Sequence, residues 1–470
     1  MDLRKVEEIV NDSKGGIVEK KDAILLSSSV TTLKNSEDSN DDDDDDTTTT
    51  DTTPPVDSAT ALQLFLDHIP ISSIPAGIFH NSPSTTVLVV RTHTCIKDGI
   101  RRLYENNVSG ALIDHDTTSQ PDEADPTTTN FTTSFSSANP YIGFITFSNM
   151  FLWSLQEFQK HQRGTKIDHA KGLKKIKPQG FFSLLDKLSV VSQAKIGELA
   201  TSFLWNPVFP VKPDQSLFHV LLLLSKHRLS VVPVTESFSS KVVGYVTEHS
   251  VNHILLKSSG LEWFDSIADK PLSDFRFQHS DQFFSIYNDE SIAQAFHILW
   301  NNKVCAIAVV DRQTEKLIGC VRVGDIHHLL DDDRIFSERE DTSVDQFIHT
   351  DHKRRDPDKQ QEEEEELGAL ISIGTLALNN RFEHRMDLPV TNTERDTLKQ
   401  AMNNLAEKKS NFSFLVDECG RVKGMITLRD ILMEFAPPCM DSRIDGGSFF
   451  DMALKESGCT IKDGTMVHLK

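Results

Sequence analysis

The chain has 470 residues, enough for two domains with cores of their own. Its net charge of −21 leans on two runs, Asp41 to Asp46 and Glu362 to Glu366; the remainder is still acidic, which excludes the basic footprint of a nucleic-acid binder. The longest aliphatic run, Val220 to Leu224, falls far short of the roughly 20 residues of a membrane span, and residues 1–30 hold no long apolar stretch of the kind a leader peptide carries.

Residues 1–58 are rich in Ser, Thr, Asp and Lys and are expected to form a disordered acidic tail. From there to residue 437 one pattern recurs four times: an apolar strand, an amphipathic helix, a second strand, then Gly-x-[apolar]-x running into another helix. The first copy, 61–158, has the helical face Ile96, Ile100 and Leu103 and closing glycine Gly143. An insertion at 116–139 interrupts it between its second and third strands, where a hairpin loop tolerates extra length because closure entropy grows slowly. Residues 159–180 read as a linker whose basic stretch, 160–177, is a solvated surface segment.

The second copy, 196–258, carries Leu217, Val220, Leu221 and Leu224, with Gly244. Its four consecutive leucines, Leu221 to Leu224, cover all sides of a helix, which implies a buried one. The third, 271–335, carries Ile292, Ala295, Phe296 and Leu299, with Gly319. After an acidic insertion at 349–366, the fourth, 382–437, carries Leu398, Ala401, Met402 and Leu405, with Gly424. The tail 438–470 contains a weak docking candidate, Gly446 to Leu454. The six cysteines form no Cys-x-x-Cys and lie in different units, as expected of reduced thiols in a cytosolic or nuclear protein.

The unit resembles the cystathionine-β-synthase (CBS) repeat, most clearly from Asp396 to Leu432, which ends in the family signature Gly-x-x-Thr-x-x-Asp at Gly424, Thr427 and Asp430. The second copy adds the Pro-Val pair Pro233–Val234. Four such units, together with the stretches Phe65 to Pro75, Tyr141 to Leu155, Leu221 to Leu229 and Ser259 to Phe275, resemble the γ-type regulatory subunits of AMP-activated protein kinase. The plant γ-like subunits of the sucrose-non-fermenting-related kinases are the nearest in character. The resemblance implies an α+β (mixed α/β) fold of four βαββα repeats, paired through their sheets into two tandem modules (Bateman modules), copies one and two in one and three and four in the other. Two such modules can stack as a disc around a central channel.

In that family the carboxylate opening the last helix accepts hydrogen bonds from ribose hydroxyls. That place holds Asp430 in copy four and Asp325 in copy three, but Asn149 and Ser250 in copies one and two. The hydroxyl three residues earlier is Thr427, Thr247 or Thr146, replaced by Arg322 in copy three, so only copy four keeps both groups. Thr-x-x-Asp is also a capping box that merely starts a helix. The family's phosphate-neutralising His and Arg, just before the second strand, are here Val108, Ser230 with Val231, and Asn411 with Phe412; only Lys303, in copy three, is basic. His227 and Arg228, a turn earlier, suit a solvated helix end.

Other chemistries fail on inspection. His249 and His253 have the spacing of half a zinc site, with no glutamate after His249 and no third ligand. His227-Arg228-Leu229 resembles a kinase catalytic loop without its aspartate, and no phosphate-binding glycine loop or Gly-x-Ser-x-Gly elbow occurs. The expectation is therefore a non-catalytic γ-type regulatory subunit that binds the catalytic (alpha) and beta subunits of a sucrose-non-fermenting-related kinase, cytoplasmic or nuclear, with no nucleic-acid, membrane or metal partner. It requires no cofactor and would take AMP or adenosine weakly, in preference to ATP, through Asp430, Thr427, Asp325, Lys303 and Thr247. The alternative is a CBS scaffold that has lost nucleotide sensing.

Overall fold

The computed structural model describes residues 58–74, 88–114, 141–165, 180–200, 208–227, 229, 231–237, 241–277, 283–350 and 385–436, with backbone alone at 459–462 and 465–468. The stretches 1–58, 116–139, 159–180, 349–366 and 438–470, and with them Arg228 and Ser230, lie wholly or mostly outside those residues. A leading helix α1, Ser58–Asp67, precedes the first repeat: β1 Val89–Arg91, α2 Ile96–Glu105, β2 Gly110–Asp114, β3 Tyr141–Thr146 and α3 Phe147–Thr165. Short helices α4 Phe181–Lys187, α5 Ser189–Gln193 and α6 Ile196–Ala200 lead to the second: α7 Leu217–Lys226, β4 Val231–Thr235, β5 Val242–Thr247 and α8 Glu248–Lys257. Helix α9, Glu262–Ala268, introduces the third: β6 Ser285–Tyr287, α10 Ile292–Asn302, β7 Ala306–Val310, β8 Leu317–Arg322 and α11 Ile326–Asp331. After α12 Asp333–Glu338 and α13 Val344–Ile348 comes the fourth: β9 Thr391–Asn392, α14 Leu398–Glu407, β10 Phe412–Val416, β11 Val422–Thr427 and α15 Leu428–Phe435. A hairpin, β12 Cys459–Lys462 with β13 Thr465–His468, ends the described chain.

Each repeat is built by the same local rules. Leu398, Ala401, Met402 and Leu405 share one face of α14 and are fully buried, each leucine contributing about 1.5–3 kcal/mol. Thr397 starts that helix with a capping box: its hydroxyl accepts from the Gln400 amide at 3.2 Å, and the Gln400 side chain accepts from the Thr397 amide at 2.7 Å. Three helices stop in the same way, at a left-handed residue: Asn107 (φ 52°), Lys303 (φ 56°) and Lys409 (φ 50°). The next amide then bonds back to a leucine carbonyl, Val108 to Leu103 at 2.9 Å, Val304 to Leu299 at 3.3 Å and Ser410 to Leu405 at 3.0 Å.

The sheets repeat as faithfully. In repeats one, three and four a short strand lies parallel to the second strand, which is antiparallel to the third; in repeat two a single parallel bridge, Val211 to Val234, stands for the first strand. All four carry a register shift beside the closing glycine, at Ile113/Asp114, Val234/Thr235, Val309/Val310 and Leu415/Val416. Gly319 shows why no side chain fits there in repeat three: a Cβ would lie 2.9 Å from the Met386 carbonyl oxygen and 2.6 Å from Ile348 Cδ1.

Repeats one and two meet through their sheets at Leu112, Phe144, Val242 and Tyr245, and repeats three and four at Ala306, Ala308, Phe412 and Phe414. The helices close the ring the other way. One core joins repeat two to repeat four, with the Asn252 amide donating to the Met402 carbonyl at 3.2 Å; the other joins one to three, where the Trp300 indole donates to Gln156. Among the described residues no helix is long and apolar enough to cross a membrane.

The repeat boundaries need one correction. Residues 61–74, read as the start of repeat one, lie on repeat two: Ile71 donates to Gln215 at 2.9 Å, and Leu217 donates to Ile69 at 2.8 Å. Residues 181–197 return the favour to repeat one, with Ile96 donating to Ala194 at 2.9 Å and Ile196 to Thr94 at 2.9 Å. The second pair crosses identically. Residues 271–274, assigned to repeat three, bind repeat four (Leu272 to Asp396, 2.8 Å), while Val344 binds repeat three (to Glu290, 2.7 Å). In each case backbone groups of the leading segment pair with those at the start of the partner's helix.

Candidate functional site

Where each closing strand turns into its helix, the four repeats present the same corner. Thr146, Thr247, Arg322 and Thr427 end the strands opposite Gly110, Val231, Ala306 and Phe412. The following amide bonds to the carbonyl just before the second strand: Phe147 to Ser109 at 2.7 Å, Val323 to Cys305 at 2.8 Å and Leu428 to Asn411 at 2.8 Å. This register places Ser109, Cys305 and Asn411 at equivalent positions. It also corrects the reading of Lys303, which lies two residues earlier as a helix-ending residue, equivalent to Asn107 and Lys409. Its ammonium sits 3.4 Å from the Trp300 ring centroid, and burial lowers its pKa.

The predicted carboxylates part company. At Asp430 the bonds among the described residues run through one oxygen: Oδ2 accepts from the Thr427 amide at 2.8 Å and from its hydroxyl at 2.6 Å, while Thr427 Oγ1 accepts from the Asp430 amide at 3.2 Å. The half-buried carboxylate thus caps α15 with one oxygen, and the other makes no hydrogen bond among the described residues. Asp325 is fully buried, and Arg322 grips it through Nε at 3.1 and 3.2 Å, Nη2 at 2.6 Å and the backbone amide at 2.7 Å. Burial pushes that carboxyl up, but the Arg322 guanidinium and His328 more than offset it, so it stays below the usual range. Asp325 is therefore no ribose acceptor as it stands: the arginine that replaces the family's hydroxyl has taken its carboxylate. Thr247 is buried and caps α8 jointly with Ser250, whose amide lies 3.3 Å from Thr247 Oγ1.

Around Asp430 the structure gathers residues the sequence reading passed over. Arg429, its neighbour on α15, donates from Nε to the Ser225 carbonyl of repeat two at 3.1 Å. Glu248 of repeat two and Cys305 of repeat three both feel the charge of Asp430, so three repeats converge here. Glu248 is half-buried and Cys305 is exposed at this junction. Burial raises the Glu248 carboxyl to about 8, with Arg429 opposing and Asp430 adding to the rise. Burial likewise drives the Cys305 thiol up to about 11. His249 is held down to about 4 by burial, against a hydrogen bond to Asn411 that raises it. His227, read as a solvated cap, is half-buried beside Phe209 and also falls to about 4 through burial, Arg429 and Lys226.

Two signals could have exposed these residues. Aligning the corners shows Glu248 where the other repeats carry Phe147, Val323 and Leu428. Arg429 is a cation in the first turn of a helix, where the macrodipole disfavours one. Among the described residues no three His, Cys, Asp or Glu side chains are placed to hold a metal ion.

The CBS domain family matches residues 196–257 and 388–437, within the second and fourth repeats. The Arabidopsis thaliana SNF1-related protein kinase regulatory subunit gamma-1 is 24% identical over 379 residues, covering 77% of this chain and 81% of its own length. The gamma-1-like subunit of the same plant is 28% identical over 265 residues, 55% of this chain and 53% of its own. Among solved structures, a Methanocaldococcus jannaschii protein described as an archaeal homolog of g-AMPK aligns over 76% of this chain and 99% of its own, at 14% identity and a TM-score of 0.43. The chain thus carries CBS-domain matches in its second and fourth repeats and is similar over 77% of its length to the gamma-1 regulatory subunit of the SNF1-related kinase.

Proposed function

We propose that this chain is a non-catalytic regulatory subunit of a SNF1-related protein kinase, binding catalytic and beta-type subunits, and that the channel at Thr427–Asp430 takes an adenine nucleoside or nucleotide. The observation that supports a ligand there is the divided carboxylate: Asp430 Oδ2 is used by the helix cap, Oδ1 makes no hydrogen bond among the described residues, and Glu248 and Cys305 lie within its electrostatic reach. A ribose hydroxyl pair would bond to Oδ1, a charge-assisted contact of about 1.5–3 kcal/mol.

Cations for phosphate are few. Ser109, Cys305 and Asn411 hold the strand-leading positions, and Lys303 is occupied with Trp300, so Arg429 is the better-placed charge. Each phosphate beyond the first would be desolvated without a partner, which favours AMP or adenosine over ATP. Calorimetric titration of the full chain with adenosine, AMP, ADP and ATP tests the ligand; absence of binding by the folded protein would leave the scaffold reading, which the loss of Asp325 to Arg322 favours. Co-purification with a SNF1-related catalytic subunit and beta subunit tests the assembly, and failure to recover either would reject it.

A further inference from the structure

The turn that leads into the first helix of each repeat is acidic in three of the four. The five residues before α7, α10 and α14 include Asp214, Asp289 with Glu290, and Glu394 with Asp396. In repeats three and four an ion pair ties this turn to the hairpin beyond it. Arg312 holds Asp289 at 2.7 to 3.0 Å while lying 4.0 Å from the Tyr287 ring, and Arg395 meets Glu418 at 2.8 Å. Repeat one inverts the charge: the turn before α2 reads Arg91, Thr92, His93, Thr94, Cys95, with no acid. Arg91 and His93 line a cleft of about 650 Å³ together with Val89, Arg102 of α2, Asp114 and Tyr141. Both arginines are exposed, and among the described residues neither side chain has a hydrogen bond or an ion pair. The turn itself is pinned, since Ile196 donates to the Thr94 carbonyl at 2.9 Å and Gly197 to the Thr92 carbonyl at 2.8 Å.

We propose that this cleft is a ligand site separate from the corner at Asp430, and that it takes a small phosphate monoester. The phosphate meets Arg91 and Arg102, with His93 beside them, and the organic body lies against Tyr141 and Val89. Two guanidinium forks match the oxygens of a phosphate, and a pinned turn loses little freedom when it binds one. The volume is that of a small-molecule site and far exceeds what a lone anion fills. Asp114, the one acid on the wall, pairs with Tyr141 in the sheet register, so a second anionic group at that end is disfavoured and the body should be neutral. The place is distinct from the corner already described. Strand β2 runs from Gly110, opposite Thr146, to Asp114, opposite Tyr141, which puts the cleft about 13 Å along the strand from the corner of its own repeat.

The test is calorimetric titration of the full chain with phenyl phosphate, inorganic phosphate and phenol. Phenyl phosphate is expected to bind saturably and severalfold tighter than inorganic phosphate, and phenol not at all. Arg91→Gln combined with Arg102→Gln should weaken phenyl phosphate tenfold or more, through the loss of two charge-assisted contacts. The melting temperature of that variant should match wild type, because both side chains are exposed. Asp114→Asn should tighten binding severalfold, and Asp430→Asn, at the other site, should leave it unchanged. Absence of saturable binding, equal affinity in wild type and the double variant, or a loss caused by Asp430→Asn instead overturns the proposal. Nucleotide titration of the corner answers separately: if it fails while phenyl phosphate binds as expected here, the nucleotide reading falls and this site stands.

Discussion

A carboxylate at the third position of a helix has two oxygens and one structural task. In Asp430 the cap consumes Oδ2; in Asp325 a guanidinium consumes both oxygens. Opposite outcomes for the conservative change to asparagine follow. Asp430→Asn should keep an acceptor for Thr427, leave the melting temperature close to wild type and weaken AMP binding tenfold or more by titration. Asp325→Asn should leave nucleotide affinity alone and destabilise the fold by about 3–5 kcal/mol in urea melts, because Arg322 loses its buried counter-ion.

Proton linkage separates two acids. Asp325 is held below its unfolded value, so its contribution is present above that value and fades as pH falls through the folded one. Glu248 is raised from 4.5 to about 8, so the native state is favoured below 4.5 and loses ground as pH rises to about 8. Ligand-free thermal melts should therefore show wild type losing several degrees between pH 5 and pH 9 relative to Glu248→Gln. Parallel profiles would show that Glu248 does not titrate in this range.

At the scale of elements, what could be read in advance was what the local pattern contains. The apolar faces at Ile96, Ile100 and Leu103, or Leu398 to Leu405, follow from helical spacing alone, and both are fully buried. Among Leu221 to Leu224, three are fully buried and Leu222 is half-buried. The helix stops were less legible. Left-handed residues are commonly glycine, and here they are Asn107, Lys303 and Lys409, so the count from helix end to strand slipped by two and Lys303 looked like a ligand cation. Lys303→Gly tests this: at φ 56° glycine is unstrained, so stability should hold or rise and AMP affinity should not change. The crossing of leading segments could not be read at all, since nothing in residues 61–74 names residues 213–217 as their partner. Gly319→Ala should cost about 1–3 kcal/mol, because the new methyl group meets the backbone of residue 386.

On the scale of the molecule, sheets bind one to two and three to four, while helices bind two to four and one to three. Damage should then travel along shared cores. Leu221→Ala removes fully buried methyl groups at an expected cost of about 2–5 kcal/mol. Hydrogen exchange should speed up in α14 and α15 of repeat four, far along the chain, more than in α2 of repeat one. Loss of protection confined to repeats one and two would contradict the division of the cores.

The crossed leading segments also have a consequence for how the chain is made. Asp67 accepts a hydrogen bond from Ser216 across 149 residues, and α1 has its apolar face in the core that α7 completes. At synthesis rates of about 5–20 residues per second, α1 waits roughly 7–30 s after its own emergence before its cover exists. Repeat one waits in turn for residues 181–197. The smallest foldable product of the ribosome is therefore a pair, and the exposed Leu62, Phe65 and Leu66 are a natural target for chaperones in the interval. Ribosome-bound chains halted before α7 should be cut by protease within 62–66, and chains halted after residue 277 should resist.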